Sequence, residues 1–232
     1  MTGSVKRSDA PRDEARAARA GRPLTRAEQA RATRRRIIAA ATEQFIRHGY
    51  GAALLEQVAQ QAGVAVQTVY FHFGNKRTLL KEALDVAAVG DDEPVPLLDR
   101  PWLEQIQQES DPRRVIELWL ANGRGIIERV APLMRVVRGA TGTDPELAAQ
   151  WDTNQHQTRT AYAVLAELLA ERDALKPGMD VEQARDTAFV IANVETFLQF
   201  RDTCGWTLDQ WQDRVGAILC AALLRASPPS SA

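Results

Sequence analysis

Cysteine, histidine and long apolar runs are all scarce in this chain, and each scarcity removes a class of protein. Two cysteines in 232 residues, Cys204 and Cys220, can neither staple a disulfide scaffold nor supply a cysteine-rich zinc site; both read as reduced core residues. The three histidines, His48, His72 and His156, lie far apart. HExxH, Gly-x-Ser-x-Gly and a phosphate-cradling glycine loop are all missing, so no residue argues for an enzyme, a metal or a cofactor. No apolar stretch approaches the ~18–20 residues that span a bilayer. The Arg- and Ala-rich first 24 residues lack the apolar centre of a secretory signal. The expectation is a cytoplasmic protein with no membrane association. No segment alternates with period two over a strand's length, which leaves an all-α chain.

What is present is ordinary in amount and uneven in placement. Apolar residues make up 45% and charged residues 25%, enough for a soluble chain with a real core. The net charge of −1 conceals a division. Residues 1–81 carry 15 basic and 6 acidic side chains, whereas residues 82–232 carry 14 and 24. A basic front on an acidic body suggests that the front faces a polyanion. Residues 1–24 supply only 6 basic against 3 acidic side chains, so most of the excess lies in a segment patterned to fold.

Local signals place the helices. Thr25 with Glu28 fits a capping box, and Ile37, Ile38, Ala41 and Phe45 mark one face of the helix that follows, with Gly49 as its stop. Leu54, Leu55, Val58, Ala59 and Ala62 predict a short second helix, Val66, Val69 and Tyr70 a third. Asn75 caps a fourth carrying Leu79, Leu80, Ala83 and Leu84. Three prolines and five charges over Asp91–Pro101 read as a linker. Asp111-Pro112 and Asp144-Pro145 each put an acid before proline at a helix start. Asp180 with Gln183, and Thr207 with Gln210, repeat the capping-box spacing. The predicted helices lie near 112–130, 144–171, 180–203 and 207–226, with shorter ones near 102–109 and 131–140. The expected organisation is a disordered basic arm (1–24), a helix-turn-helix domain (25–75), a larger helical ligand-binding and dimerisation domain (76–226) and a disordered tail (227–232).

The second and third helices, joined at Gly63, form a helix-turn-helix pattern, and such a turn needs a residue tolerant of positive φ. In that geometry the second helix of the pair presents its N-terminal residues to the DNA major groove. Gly49-Tyr50, Val58-Ala59, Ala62-Gly63-Val64, the run from Thr68 to Phe73, and Lys76 together resemble the N-terminal domain of the TetR family of bacterial transcriptional regulators, over about residues 30–80. The later helices resemble the family only in number, length and order. The resemblance implies an all-α homodimer that binds double-stranded operator DNA. It places a small-molecule effector in the larger domain and dimerisation on the last two helices. It also implies DNA contact at Thr68, phosphate bonds from Tyr70 and His72, and a backbone contact from Lys76.

The residues carry their own readings beside these. Gln67 and Thr68 sit on the groove-facing surface, and Gln pairs bidentately with adenine. Tyr70 and His72 suit phosphates, or else a core aromatic and a surface histidine; Phe73 reads as core and Phe71 as either. Leu54 and Ala65 stand where the family commonly has Ser or Thr caps, and Val66 where Lys or Arg is frequent, so this helix is expected to bind weakly alone. Arg31, Arg34, Arg35 and Arg36, with Arg12, Arg16, Arg19 and Arg22 of the arm, would compensate at phosphates or in the minor groove, or else form a solvated face.

In the acidic body, residues 188–200 are apolar all round, which demands burial on every side. Phe189 and Phe200 there, with the stripe Leu208, Trp211, Val215, Ile218, Leu219 and Ala222, suit a two-fold four-helix bundle, or a central helix in a monomer. Helical position nominates Trp119, Asn122, Met134, Trp151, His156, Asn193 and Phe197 as ligand contacts, while Gly123 and Gly125 suggest close packing or a bend. The expected mechanism is a repressor whose fourth helix acts as a lever, moving two recognition helices out of their ~34–36 Å spacing when ligand binds. The competing expectation is a helical interaction module without specific DNA binding.

Overall fold

The computed structural model describes residues 25–90 and 101–226; the expected arm, the linker positions 91–100 and the tail lie outside them. The described residues form ten α-helices and no strand. Each helix start that the sequence marked with a cap is where the structure has one. Thr25 and Glu28 bond reciprocally to open α1 (Arg26–Ala52), whose path kinks at Gly49, φ 74°. Then follow α2 (Leu55–Ala62), α3 (Val66–Phe73) and α4 (Lys76–Val89), the last capped by Asn75. The body comprises α5 (Pro101–Gln108), α6 (Pro112–Ala140), α7 (Pro145–Glu171), α8 (Val181–Ala192), the one-turn α9 (Val194–Leu198) and α10 (Leu208–Leu223).

Two apolar cores share α6. One gathers Ile37, Phe45, Val58, Val69, Leu79 and Leu80 with Leu133, Val137 and Trp151, so the four N-terminal helices close over the end of α6 and the start of α7. The other gathers Ile106, Ile116, Leu120, Leu165, Leu169, Trp211, Val215 and Leu219. This sharing explains the first departure from expectation. The pattern predicted separate helices at 112–130 and 131–140, yet α6 runs unbroken through Pro132. A proline removes one backbone hydrogen bond, but Ala131 and Leu133 on either side of it are fully buried, and that packing keeps the helix continuous.

The helix expected over 180–203 departs the other way. It breaks at Asn193, whose backbone is extended (φ −76°, ψ 172°) and whose side chain accepts from the Thr196 N–H at 2.9 Å. The break exposes the Ala192 carbonyl, and the buried Tyr162 hydroxyl donates to it at 3.0 Å. A wide π turn at Gln199–Thr203 completes the segment. Full burial fails as well, since Val190 is 60% exposed. Cys220 is buried as expected, but Cys204 sits on the surface beyond the π turn.

Candidate functional site

The turn between α2 and α3 has the predicted form. Gly63 adopts φ 65°, ψ 44°, and the Val64 N–H donates back to the Ala59 carbonyl at 3.0 Å. A Cβ at Gly63 would meet nothing closer than an Arg36 nitrogen at 4.0 Å, so left-handed strain alone demands glycine. Gly63→Ala is therefore expected to cost about 1–2 kcal/mol, read as a lower denaturant midpoint with unchanged slope. Neither Leu54 nor Ala65 makes a side-chain cap, as their residue types require. A polar bridge ties α1 to α2: Gln44 donates to Gln61, which donates to Glu43.

α3 anchors itself through Val69 and Phe73, both buried, and leaves the rest outward. Phe71 is 85% exposed and Tyr70 48%, which rules out the core reading for both. Gln67 and Ala65 are exposed, while Val66, Thr68 and His72 are half-buried, His72 lying edge-on to the Phe71 ring. Leu54 is exposed beside them. Arg31 and Arg35 lie on the open side of α1. Arg34 is spoken for: it pairs with Glu82 at 2.6 Å and covers the Phe73 ring.

Lys76 is placed differently from its expected contact with the DNA backbone. Its Nζ donates to the carbonyls of Tyr50 (2.7 Å), Gly51 (3.3 Å) and Ala53 (3.1 Å), and lies 4.6 Å from the Tyr50 ring centre. All three ammonium protons are used in closing the end of α1, and burial holds the group's pKa below that of a free lysine. Sequence separation hid this, because the acceptors lie more than twenty residues upstream.

Next to it, Arg77 reaches the body. Its Nε donates to Asp144 at 3.1 Å and its guanidinium also pairs with Glu146. Asp144 is the N-cap of α7. Although desolvation raises its pKa, the hydrogen bond from Arg77 and those from the Leu147 and Glu146 amides bring it below the ordinary value.

The body contains a cavity of about 540 Å³. Of the seven nominated ligand residues, Trp119, Met134, His156 and Asn193 line it. Asn122, Trp151 and Phe197 do not: Asn122 donates to its own helix at Leu118, Trp151 stacks under Arg138, and Phe197 packs edge-on against Trp211. Trp102, Ile126, Asn154 and Tyr162 were not nominated and are in the wall. The recurrence Asn154, Thr158, Ala161, Tyr162 on one face of α7 was the available signal. Gly123 also lines the cavity, and a Cβ there would meet nothing within 4 Å, so of the close packing or bend expected there, close packing is not the reason for it.

The expected dimer stripe divides between two faces. Trp211, Val215 and Leu219 are sealed by this chain's own helices, which corrects their assignment to a subunit interface. They recur at i and i+4 and so share one face, whereas Ile218 is turned away and 41% exposed. Phe189, Leu208 and Ala222 are half-buried, as is Phe200, which stacks on Trp206.

Residues 37–83 match the family model described as bacterial regulatory proteins, tetR family. Over that stretch the chain is similar to the TetR family. Two curated relatives from Pseudomonas putida are 45% identical over 58 residues, 25% of this chain: the uncharacterized HTH-type transcriptional regulator TtgW and the HTH-type transcriptional regulator SrpR. Those residues span 43% of TtgW and 27% of SrpR, so the close likeness covers less than half of either relative. Across the length of the chain the likeness is looser. NalD, the secondary repressor of the MexAB-OprM multidrug efflux pump in Pseudomonas aeruginosa, is 25% identical with a TM-score of 0.62, covering 86% of this chain and all of that one.

Proposed function

We propose that this chain is a DNA-binding transcriptional repressor, acting as a homodimer and released from its operator by a small molecule in the body cavity. The observation that carries the reading is α3, a helix-turn-helix second helix with an outward face that nothing else in the described chain covers. Gln67, Thr68, Tyr70, Phe71 and His72 are its contact set, with Arg31 and Arg35 at flanking phosphates. Lys76 shapes the site rather than touching DNA. Val190 and Ile218 mark the face where a second copy packs.

The lever reading gains physical support from α4. Its fourteen residues span roughly 21 Å at 1.5 Å per residue. It starts at the helix-turn-helix unit and ends with Ala88 in the cavity wall, where the Ala87 carbonyl accepts from Arg129 of α6 at 2.8 Å. A ligand that favours one placement of this end shifts the recognition helix, provided that it prefers the non-binding state. Equal recognition-helix separation in free and DNA-bound crystals would sink this mechanism.

The test is fluorescence anisotropy on duplex DNA from the protein's own upstream region, with scrambled competitor, across about 50–300 mM salt. Competitor-resistant binding with a steep salt slope is expected; a failure to bind at every salt concentration would return the protein to the interaction-module reading. A second outcome follows from the composition of α3, which has no Arg or Lys to bond guanine. Gln67 suits adenine and Phe71 a thymine methyl. Selection from random duplexes is expected to return A·T pairs opposite α3, and Gln67→Ala to relax one of them by about 1–3 kcal/mol.

A further inference from the structure

The cavity wall has a chemistry of its own. Among the described residues, its lining holds no Asp, Glu, Lys or Arg, and its one histidine, His156, is solvent-exposed. Moving an ion into such a wall costs several kcal/mol of lost hydration when no partner is present. A cation over an aromatic ring gains only about 0.5–2 kcal/mol, which does not offset that loss.

Three rings form one side in a continuous series. Trp102 meets Trp119 edge-on at 5.6 Å between centres, and Trp119 meets Tyr162 at 6.0 Å with a 46° tilt. Edge-on packing of this kind leaves ring faces available for offset stacking with a flat guest. Gly123 keeps space open before them.

The wall also carries His156, Gln157, and the Thr158 and Thr160 hydroxyls, which give their protons to the Asn154 and His156 carbonyls; donors are left over at two amides. Asn193 spends its Oδ1 on the Thr196 N–H, and Asn154 spends its Oδ1 on Gln150, which leaves the amide nitrogens of both. Trp211 also lines the wall, and its indole N–H is buried with no acceptor among the described residues. Burial fixes the Tyr162 phenol in its protonated form, and its O–H is already given to Ala192.

We propose that the cavity selects an uncharged, flat aromatic molecule bearing hydrogen-bond acceptors such as ketone or ether oxygens, and discriminates against cations and carboxylates of the same shape. This rests on the reading of the cavity as the effector site. The test uses three matched probes on the full chain: 1-acetylpyrene, pyrene-1-carboxylate and 1-pyrenylmethylammonium, each followed by quenching of tryptophan emission and by calorimetry.

Acetylpyrene is expected to bind at least about tenfold more tightly than either ion. Gly123→Leu, which fills the cavity, is expected to abolish that binding while circular dichroism and the melting transition stay intact. Asn193→Asp keeps a good helix cap but sets a carboxylate in the wall; it is expected to lower acetylpyrene affinity and raise that of the ammonium probe. Equal or tighter binding of either ion, binding of none of the three, or unaltered selectivity in Asn193→Asp would overturn the proposal. Acetylpyrene binding that leaves operator DNA bound would support the selectivity and count against the effector reading alone.

Discussion

Replacing Lys76 with methionine is expected to lower the melting temperature by about 5–10 °C and weaken DNA binding while leaving the salt slope unchanged. Methionine preserves the apolar stem but removes the ammonium that serves three carbonyls of the α1–α2 turn. Hydrogen bonds to charged groups contribute about 1.5–3 kcal/mol each, and orphaned acceptors add a penalty. Lys76 is only partly buried, and water can reach some of those oxygens, so a total of about 2–3 kcal/mol is a sensible figure. A chain of this size shifts by about 2–4 °C per kcal/mol. The salt slope separates the two roles available to this lysine. A phosphate contact releases counterions, and losing one lowers the slope by about one unit. A lysine that only shapes the turn leaves the slope alone and moves the melting point. An unchanged melting temperature with a reduced slope would restore the DNA-contact reading.

What the sequence could show divides by the range of the interaction. Caps act over three or four residues, so Thr25, Asn75, Asp111, Asp144, Asp180 and Thr207 all mark helix starts that the structure has. The turn at Gly63 was legible for the same reason. Continuity through Pro132 was not, because it depends on burial of Ala131 and Leu133 by elements distant in sequence. Asn193 had a local signal, a cap-type side chain inside an apolar run, but it read as a pocket amide when it is also the cap that breaks the helix. Rotation is the other limit. Each residue turns the helix by about 100°, so Ile218 and Leu219 fall on different faces, and an apolar stripe alone does not say which face meets the chain's own core. The cavity was legible in part: Trp119, Met134, His156 and Asn193 reach it, whereas Asn122 points its amide back along its own helix.

Arg77→Gln is expected to separate DNA binding from its response to ligand. Arg77 stands one residue into α4, the helix that joins the recognition unit to the cavity, and it grips Asp144 and Glu146 at the opening of α7. α7 in turn supplies Asn154, His156, Thr158 and Tyr162 to the cavity wall. One ion-pair cluster therefore connects the two ends of the proposed switch, and Tyr50, whose pKa is raised by burial and by the charge of Asp144, lies against it. Glutamine keeps a donor for Asp144 but loses the charge and the second contact. The recognition surface of α3 does not involve Arg77, so operator affinity without ligand should change by less than about threefold, under about 0.7 kcal/mol. Coupling between sites amounts to about 1–3 kcal/mol in typical switches. Losing one fixed connection should thus shrink the ligand-induced drop in operator affinity by about fivefold or more, with ligand affinity for the free protein little altered. Acid should mimic the variant. Asp144 has its pKa lowered in the folded chain, so the pair is complete above the ordinary aspartate range near ~4 and is lost as pH falls through the lowered value. Anisotropy titrations with and without ligand, on both proteins at neutral pH, measure the two quantities separately. Equal ligand responses in the two would place the coupling elsewhere, at the Ala87–Arg129 strut or at α4's own packing on α1 and α6.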